Sequence, residues 1–246
     1  MYIIYDDNNY KNKSIFVTYI LIAINVFVYL GLQVDSSNLM ESVENNFFNG
    51  YCMLPAEILS GKDVVIPGYF EASPHPVYLT IITSMFMHGD FWHLAGNLFF
   101  LFVFGDNLES ALGPIKFLIF YLLCGVLASL LDISFVVLFD LNTYTRNIGA
   151  SGAISGIIGG YMMLFPRNKI HLMFNIIFGF LDTPAFLWGM IWMAIQVIGL
   201  ISIIYDQSSG VAYAAHIGGA IGGFFLVRLY SLRKKKNETP KEAETI

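Results

Sequence analysis

The sequence predicts an all-α polytopic membrane protein with six transmembrane helices. Of its 246 residues, 56% are hydrophobic and only 13% are charged, whereas about a quarter of the residues in a soluble domain are charged. The apolar residues form six runs of roughly 17 to 25 residues, which is the length that crosses a bilayer as a helix. Lysines and arginines collect in alternate connections between these runs, as they do in membrane proteins.

The six apolar runs are separated by polar connections and by turn residues. The first run follows a polar segment that lacks the apolar core and the small-residue cleavage site of a secretory signal. Gly113 and Pro114 separate the second run from the third, and Pro166 closes the fourth run. The predicted membrane helices are 15–32, 92–108, 115–139, 148–165, 185–204 and 211–229.

This pattern predicts one membrane domain with two polar extensions. Residues 1–14 are expected to be a cytoplasmic N-terminal segment, 15–232 the membrane domain and 233–246 a charged cytoplasmic tail. A long first loop at about 33–91 mixes prolines with short apolar pieces, so we expect parts of it to be buried. The apolar segment that begins at His171 and precedes the fifth helix is predicted to lie at the membrane interface.

The positive charges orient the helices. Short cytoplasmic loops retain lysine and arginine. With the N-terminus inside, 11 of these residues lie on the cytoplasmic side, and only Lys62 and Arg146 lie outside. Both termini are therefore expected in the cytoplasm. In this topology the second, fourth and sixth helices all begin at the outer face, so their first turns lie at the same depth.

The composition also excludes several classes of function. A net charge of −5 leaves no basic surface for nucleic acid. Cys52 and Cys124 allow at most one disulfide and form no CxxC pair, so a thiolate metal site is not supported. No metal or organic cofactor is expected.

Polar, reactive side chains concentrate in the first turns of those three helices. The second helix carries His93 and Asn97 on one face, the fourth begins at Ser151, and the sixth begins near His216. Polar groups at membrane depth are costly unless they serve a site or pair with each other. A serine, two histidines and an asparagine at one level suggest a nucleophile, a general base and oxyanion donors.

Glycines predict that the fourth and sixth helices lie close together. Residues spaced four apart share one face of a helix, and small residues there let two backbones approach. The sets are Gly152, Gly156 and Gly160 on the fourth helix, and Gly218 with Gly222 and Gly219 with Gly223 on the sixth. This approach would bring Ser151 within reach of His216.

These residues together resemble the rhomboid family of intramembrane serine proteases, in its six-helix prokaryotic form. The resemblance covers about 84–230 and implies a rhomboid-like bundle. Each motif alone is weak, but their order and their places on alternate helices agree with the topology obtained from charge. The motifs are His88, His93-xxx-Asn97, Gly149-Ala150-Ser151-Gly152-Ala153, Pro166-Arg167 and Ala215-His216-xx-Gly219-xxx-Gly223.

The resemblance implies a role for each site residue. Ser151 would be the nucleophile and His216 its general base, in a dyad without an acidic third member. Asn97, His93 and the backbone N–H of Ser151 would hold the oxyanion. Asp132 does not match the position of a triad acid, and we expect no catalytic role for it.

The resemblance also implies partners and a location. The expected substrates are single-pass transmembrane proteins, cut within or near the membrane helix and reaching the site past the fifth helix. The lipid bilayer surrounds the protein, and we expect a bacterial plasma membrane. The physiological substrate and the oligomeric state stay open.

Two positions depart from the pattern of many family members. Leu79-Thr80 stands in the first loop where many carry Trp-Arg. Ser155 stands where many carry a tyrosine or phenylalanine that stacks on the catalytic imidazole. We therefore expect His216 to be held mainly by the close helix contact and by its hydrogen bond to Ser151.

Two other functions are weighed against the protease. A small transporter also has glycine-interrupted helices. For a transporter, however, we would expect internal repeats and charged residues midway along the last three spans, and the sequence has neither. A rhomboid relative that only binds membrane proteins would be expected to lose Ser151 or His216, and this chain keeps both. Among single residues, Ser155 is the weaker nucleophile candidate, and Glu109 is expected to hydrogen-bond at a helix end.

Overall fold

A computed structural model describes residues 2–6, 15–34, 46–66, 70, 72–175, 179–206 and 211–238. Helices dominate these residues, and one small sheet accompanies them. In chain order the elements are β1 (Tyr2–Asp6), α1 (Val17–Val28, continued by a π-helical turn at Tyr29–Gln33), α2 (Asn46–Tyr51), α3 (Pro55–Ser60), α4 (Thr80–Thr83, flanked by 3₁₀ turns at Val77–Leu79 and Ser84–Phe86), α5 (Phe91–Leu112), α6 (Pro114–Leu138), α7 (Ser151–Leu164), β2 (Lys169–Asn175), β3 (Gly179–Pro184), α8 (Ala185–Asp206) and α9 (Tyr213–Glu238).

The predicted membrane helices fall on α1, α5, α6, α7, α8 and α9. Within the described residues, three helices are long and apolar enough to cross a membrane: Pro114–Leu138, Ala185–Tyr205 and Tyr213–Arg233. Shorter apolar helices lie at Val17–Gln33, Val77–Phe86 and Ser151–Leu164. The helical, membrane-spanning character of the fold is confirmed, and the number of six crossings stays a prediction.

The predicted glycine contact between α7 and α9 is confirmed. A Cβ at Gly219 would overlap the carbonyl oxygen of Gly152, and a Cβ at Gly223 would overlap that of Gly156. Any larger residue would therefore push the two backbones apart. The other glycine pair on α9, Gly218 with Gly222, faces leucines of α6 instead.

The core forms where α5, α6 and α8 surround α7. The ring of Phe104 on α5 packs edge-on against Tyr161 of α7, with centroids 5.1 Å apart, and lies 5.2 Å from the ring of Trp188 on α8. Helix α1 packs on the outside of α5, where Leu21 is buried in the same core. The centre of the bundle thus holds α7, which carries Ser151 at its first position.

The small sheet corrects the prediction of a purely helical fold. Strand β2 lies in the middle and pairs antiparallel with β1 and with β3. Tyr2 lies opposite Met173, and Lys169 lies opposite Pro184. The segment expected at the membrane interface is therefore a β-hairpin, and part of the N-terminal segment adds a third strand to it. This pairing places the N-terminal strand and the connection between α7 and α8 on the same side of the bundle.

The first loop covers the end of the bundle at which α7 begins. Phe48, Cys52 and Met87 form a small buried cluster. Met53 and Asn147 exchange two backbone hydrogen bonds, which join the loop to the connection between α6 and α7. Because Asn147 lies four residues before Ser151, this loop helps to fix the approach of the chain to the candidate site.

Candidate active site

A tight turn sets the start of α7. Gly149 has a φ of 110°, in the region that favours glycine. A Cβ at this position would lie only 2.6 Å from Nε2 of His93. Any side chain at 149 would therefore collide with the imidazole of α5. The glycine lets the chain pass beside His93 and begin α7 at Ser151, whose backbone N–H lies in the first turn, where such groups have no partner within the helix.

Ser151 and His216 meet at the starts of α7 and α9. Nε2 of His216 lies 2.8 Å from Oγ of Ser151, although 65 residues separate them in the chain. The glycine contact between the two helices explains this distance, because Gly152 and Gly219 each follow a site residue within one turn. The predicted approach of these two side chains is present in the structure.

The imidazole of His216 has further neighbours that the sequence-based expectation missed. Its Nδ1 lies 2.8 Å from Oε1 of Gln196 on α8. The ring of Trp192, also on α8, is 6.3 Å away at 31°, and the ring of Tyr213 is 6.4 Å away at 86°. The expectation that the helix contact and Ser151 mainly hold the ring therefore left out the support that α8 provides. In the sequence, the carboxamide of Gln196 in an otherwise apolar run was the feature that could have indicated this contact.

The two predicted oxyanion residues lie on the opposite wall, on α5. Nδ2 of Asn97 is buried and makes no hydrogen bond with the described residues. The imidazole of His93 stands edge-on to that of His88, with centroids 5.1 Å apart, while the backbone N–H of His93 donates to Oδ1 of Asp90 and begins the helix. A buried, unpaired amide N–H is energetically costly. The position of Asn97 in the site therefore suits a bound group that accepts a hydrogen bond from Nδ2.

The four predicted site residues border one cavity of about 690 Å³. Ser151, His216, Asn97 and His93 line it together with apolar and aromatic residues such as Trp192. A cavity of this size with a few convergent polar groups is typical of a binding site. Among the described residues, no group of three or more His, Cys, Asp or Glu side chains could hold a metal ion.

Comparison with known proteins decides the family. The family model described as the Rhomboid domain matches residues 75–233, which contain every site residue named above. The chain belongs to the rhomboid family. The match begins before α5 and ends within α9.

Individual relatives agree with this assignment. The chain is 30% identical to the rhomboid protease AarA of Providencia stuartii over 233 residues, which cover 89% of this chain and 74% of AarA. It is 34% identical to the mitochondrial rhomboid protein 1 of Saccharomyces cerevisiae over 59% of this chain. It is 28% identical to the human mitochondrial presenilin-associated rhomboid-like protein over 65% of this chain. The match spans about two fifths of the yeast and human proteins.

The structure also places the departures from the rhomboid pattern. Ser155 is buried one turn below Ser151, and its hydroxyl donates to the carbonyl oxygen of Ser151 at 2.6 Å. Thr80 is buried in the first loop and donates to the carbonyl oxygen of Val77, while Leu79 is exposed. These hydroxyl groups are thus engaged in local backbone hydrogen bonds.

Asp132 is engaged in structural hydrogen bonds. Its Oδ2 accepts a hydrogen bond from Nδ2 of Asn147, and the carboxylate also accepts one from the backbone of Ala215. These bonds connect α6 to the approach of α7 and to the first turn of α9. Asp132 therefore supports the two segments that carry Ser151 and His216.

Proposed function

We propose that this rhomboid family member is an intramembrane serine endopeptidase with Ser151 as nucleophile and His216 as general base. The observation that carries the proposal is the 2.8 Å separation of His216 Nε2 and Ser151 Oγ inside a cavity. Nucleophile and base within hydrogen-bond reach, with the base held by a third group, is the arrangement found in serine hydrolases. The protease AarA, aligned over most of both chains, supports the same reaction class.

The geometry supports a two-step hydrolysis. Oγ of Ser151 attacks the carbonyl carbon of the scissile peptide bond as its proton moves to Nε2 of His216. Asn97, His93 and the backbone N–H of Ser151 stabilise the oxyanion, and the C–N bond then breaks as the leaving amine takes the proton from Nε2. A water molecule, deprotonated by Nε2, hydrolyses the acyl-enzyme and restores the serine.

The length of α7 supports cleavage at membrane depth. Its 14 residues extend about 21 Å, whereas the hydrocarbon core is about 30 Å thick. A helix of this length cannot reach both surfaces, so Ser151 at its start would lie below the membrane surface. We propose single-pass transmembrane proteins as substrates, which would reach the cavity past α8 because that helix forms one wall of it.

We further propose six crossings with both termini in the cytoplasm. The charge distribution predicts this topology. Pairing of β1 with β2 supports it, because four crossings through α1, α5, α6 and α7 return the chain to the side of its N-terminal strand. We propose the bacterial plasma membrane as the location, and fractionation of the native cells tests this.

The decisive experiment compares serine variants in detergent with a single-pass helix as substrate. We expect Ser151→Ala, His216→Ala and the double variant to be equally inactive, because nucleophile and base act as one unit. Ser155→Ala is the matched control: it removes a buried hydroxyl one turn away, and we expect it to keep most activity. A fluorophosphonate probe should label wild type and Ser155→Ala but not Ser151→Ala.

Three outcomes would contradict the proposal. Cleavage by Ser151→Ala at an appreciable rate would exclude this serine as the nucleophile. If Ser155→Ala is inactive and Ser151→Ala is still labelled, the nucleophile is Ser155, one turn further along α7. A folded wild-type protein that neither cleaves nor reacts with the probe would favour the binding relative over the protease.

A further inference from the structure

Gln196 is an unusual residue for its place in the fold. It is the only carboxamide in α8, and its neighbours along the helix are almost all apolar. The residue is 6% exposed. A polar side chain inside a membrane helix is costly and marks function or a specific partner, and the partner here is His216.

The imidazole of His216 is held at both nitrogens by two different helices. Oε1 of Gln196 on α8 lies 2.8 Å from Nδ1, and Oγ of Ser151 on α7 lies 2.8 Å from Nε2. Nε2 of Gln196 lies 3.4 Å from the carbonyl oxygen of Trp192, one turn earlier in the same helix. This contact directs the amide nitrogen to its own backbone and the amide oxygen to the imidazole.

This orientation selects one tautomer of the ring. A carboxamide oxygen only accepts hydrogen bonds. Nδ1 of His216 must therefore carry a hydrogen atom and donate it to Oε1 of Gln196. Nε2 is then left with its lone pair directed at the hydroxyl of Ser151. A general base needs this form to remove the serine proton. In serine hydrolases of unrelated fold, an acceptor on Nδ1 performs the same task.

We propose that Gln196 is the positioning residue of the Ser151–His216 dyad, holding His216 in the tautomer and orientation that accept the serine proton. The proposal rests on the proposed protease function. When the proton moves from Oγ to Nε2, the ring becomes an imidazolium that keeps its Nδ1 hydrogen bond to Oε1. The proton on Nε2 then passes to the leaving amine. Gln196 neither gains nor loses a proton in these steps.

An amide suits this position better than a carboxylate would. An ionised carboxylate buried at membrane depth carries a large desolvation cost unless it is fully paired. The amide oxygen offers the same acceptor without a net charge. Its partial negative charge still favours the imidazolium that forms during the reaction.

The position of Gln196 depends on how α8 packs. A Cβ at Gly199 would overlap the ring of Tyr213 on α9, and a Cβ at Gly189 would overlap Met162 on α7. These two close contacts lie on either side of Gln196 along α8. The dyad is thus completed only when α8 lies against α7 and α9, so the helix that forms a wall of the cavity also completes the catalytic base.

The test uses two substitutions of Gln196 in the full chain. We expect Gln196→Leu, which keeps the volume but removes the acceptor, to lower kcat about tenfold with little change in KM. Gln196→Glu restores an acceptor, so we expect it to recover rate relative to Gln196→Leu.

Other titratable groups near the ring are unchanged in both variants. They are His93 on α5, Tyr213 on α9, and Asp132 on α6 through its bond to the backbone of Ala215. A difference in rate between Gln196→Leu and Gln196→Glu therefore reports on the Nδ1 contact. Ser202→Ala is the matched control on α8, since that hydroxyl donates only to the carbonyl of Gly199. We expect it to behave as wild type.

The outcomes separate this proposal from the protease assignment. If Ser151→Ala is inactive while Gln196→Leu, with an unchanged melting temperature, has wild-type kcat, the positioning role is excluded and the protease stands. A folded Gln196→Glu that is no faster than Gln196→Leu also excludes it. Cleavage by Ser151→Ala would instead refute the protease assignment itself.

Discussion

Helix α5 carries a polar cluster at each end, and the two clusters differ in how fully their hydrogen bonds are satisfied. At its end, Glu109 is completely buried, and its two oxygens accept hydrogen bonds from the backbone N–H groups of Phe16, Val17 and Thr18 and from the hydroxyl of Thr18, at 2.7 to 2.9 Å. At its start, Nδ2 of Asn97 is equally buried but has no partner among the described residues.

The difference separates a structural cluster from a candidate site. Glu109 accepts from the backbone N–H groups at the start of α1, which have no acceptors inside their own helix, so its charge holds two helices together. Asn97 borders a cavity and offers a donor that has no acceptor among the described residues and is available to a bound molecule. About 18 Å of helix separates the two residues. Burial alone does not reveal function, and an unsatisfied group facing a cavity is the better indicator.

The largest effect is expected from Gly219→Val, which tests how α9 delivers His216 to the site. A Cβ at 219 would overlap the carbonyl oxygen of Gly152, so the helices must separate and the dyad must open. We expect complete loss of cleavage and of fluorophosphonate labelling. Gly218→Ala, which faces Leu131 of α6, is the control on the other face of α9 and should keep detectable labelling. Full activity in Gly219→Val would refute the backbone contact.

Asn97→Ala tests the unsatisfied end of α5. Because Nδ2 has no partner to lose, we expect the melting temperature to be unchanged. The rate should fall by about 10²- to 10³-fold, the usual effect of removing an oxyanion donor. The control is Asn25→Ala, since Nδ2 of Asn25 donates to the carbonyl of Leu21 in α1, away from the cavity. A wild-type rate in Asn97→Ala would make this amide a packing residue.

Glu109→Gln tests the satisfied end of the same helix. The amide nitrogen would face N–H groups in place of an acceptor, leaving buried donors unpaired at about 1–3 kcal/mol each. We expect a clearly lower melting temperature and an unchanged kcat for the protein that stays folded. Active-site titration with the fluorophosphonate probe counts the folded molecules. A loss of kcat at wild-type stability would reverse the roles of the two ends.

The smallest effect is expected at an exposed polar cluster, which extends the comparison to the surface. Lys169 and His171 lie 3.0 Å and 2.8 Å from Asp182 in the β2–β3 hairpin, and their hydrogen bonds hold the pKa of Asp182 below its ordinary value. A lowered carboxyl pKa stabilises the fold fully above the unfolded-state pKa of about 4, and this contribution is lost as the pH falls through the lowered folded-state pKa.

We therefore expect Asp182→Asn to lower the melting temperature slightly at pH 7, with activity unaffected. The difference from wild type should shrink as the pH falls from about 4 and should disappear below the lowered pKa of Asp182, because the wild-type carboxyl group is then protonated as well. Thermal unfolding over a series of decreasing pH values measures this. An equal difference at every pH would show that charge does not contribute to the hairpin.

Much of the fold could be predicted from the sequence because it depends on local patterns. Apolar run length locates α1 and α5 to α8 within a few residues, and it locates the start of α9, although that helix continues nine residues beyond the predicted end at 229. Glycine spacing predicts the α7–α9 contact. Glu109 was also predicted correctly as a helix-end residue, and its hydrogen bonds confirm this. Each of these features is encoded in a short stretch of chain.

The sheet and Gln196 could not be predicted in the same way. Short apolar strands resemble helix segments in periodicity, and β1 finds its partner only in the folded chain. Gln196 belongs to no motif, and its partner is known only once α8 has been placed against α9. The missing ring at Ser155 indicated a loose imidazole, whereas the actual support comes from a different helix.

The sheet also has a consequence for the timing of synthesis. Asp6 pairs with Ile170, which leaves the ribosome about 160 residues later, and at roughly 5–20 residues per second this takes on the order of 8–30 s. Throughout that interval β1 has no strand to pair with, while four of the proposed membrane helices are inserted. This strand is therefore made before α1 but pairs only after α7 has been made. A ribosome-stalled chain that ends before β2 should leave β1 open to protease, and one that extends beyond β3 and α8 should protect it.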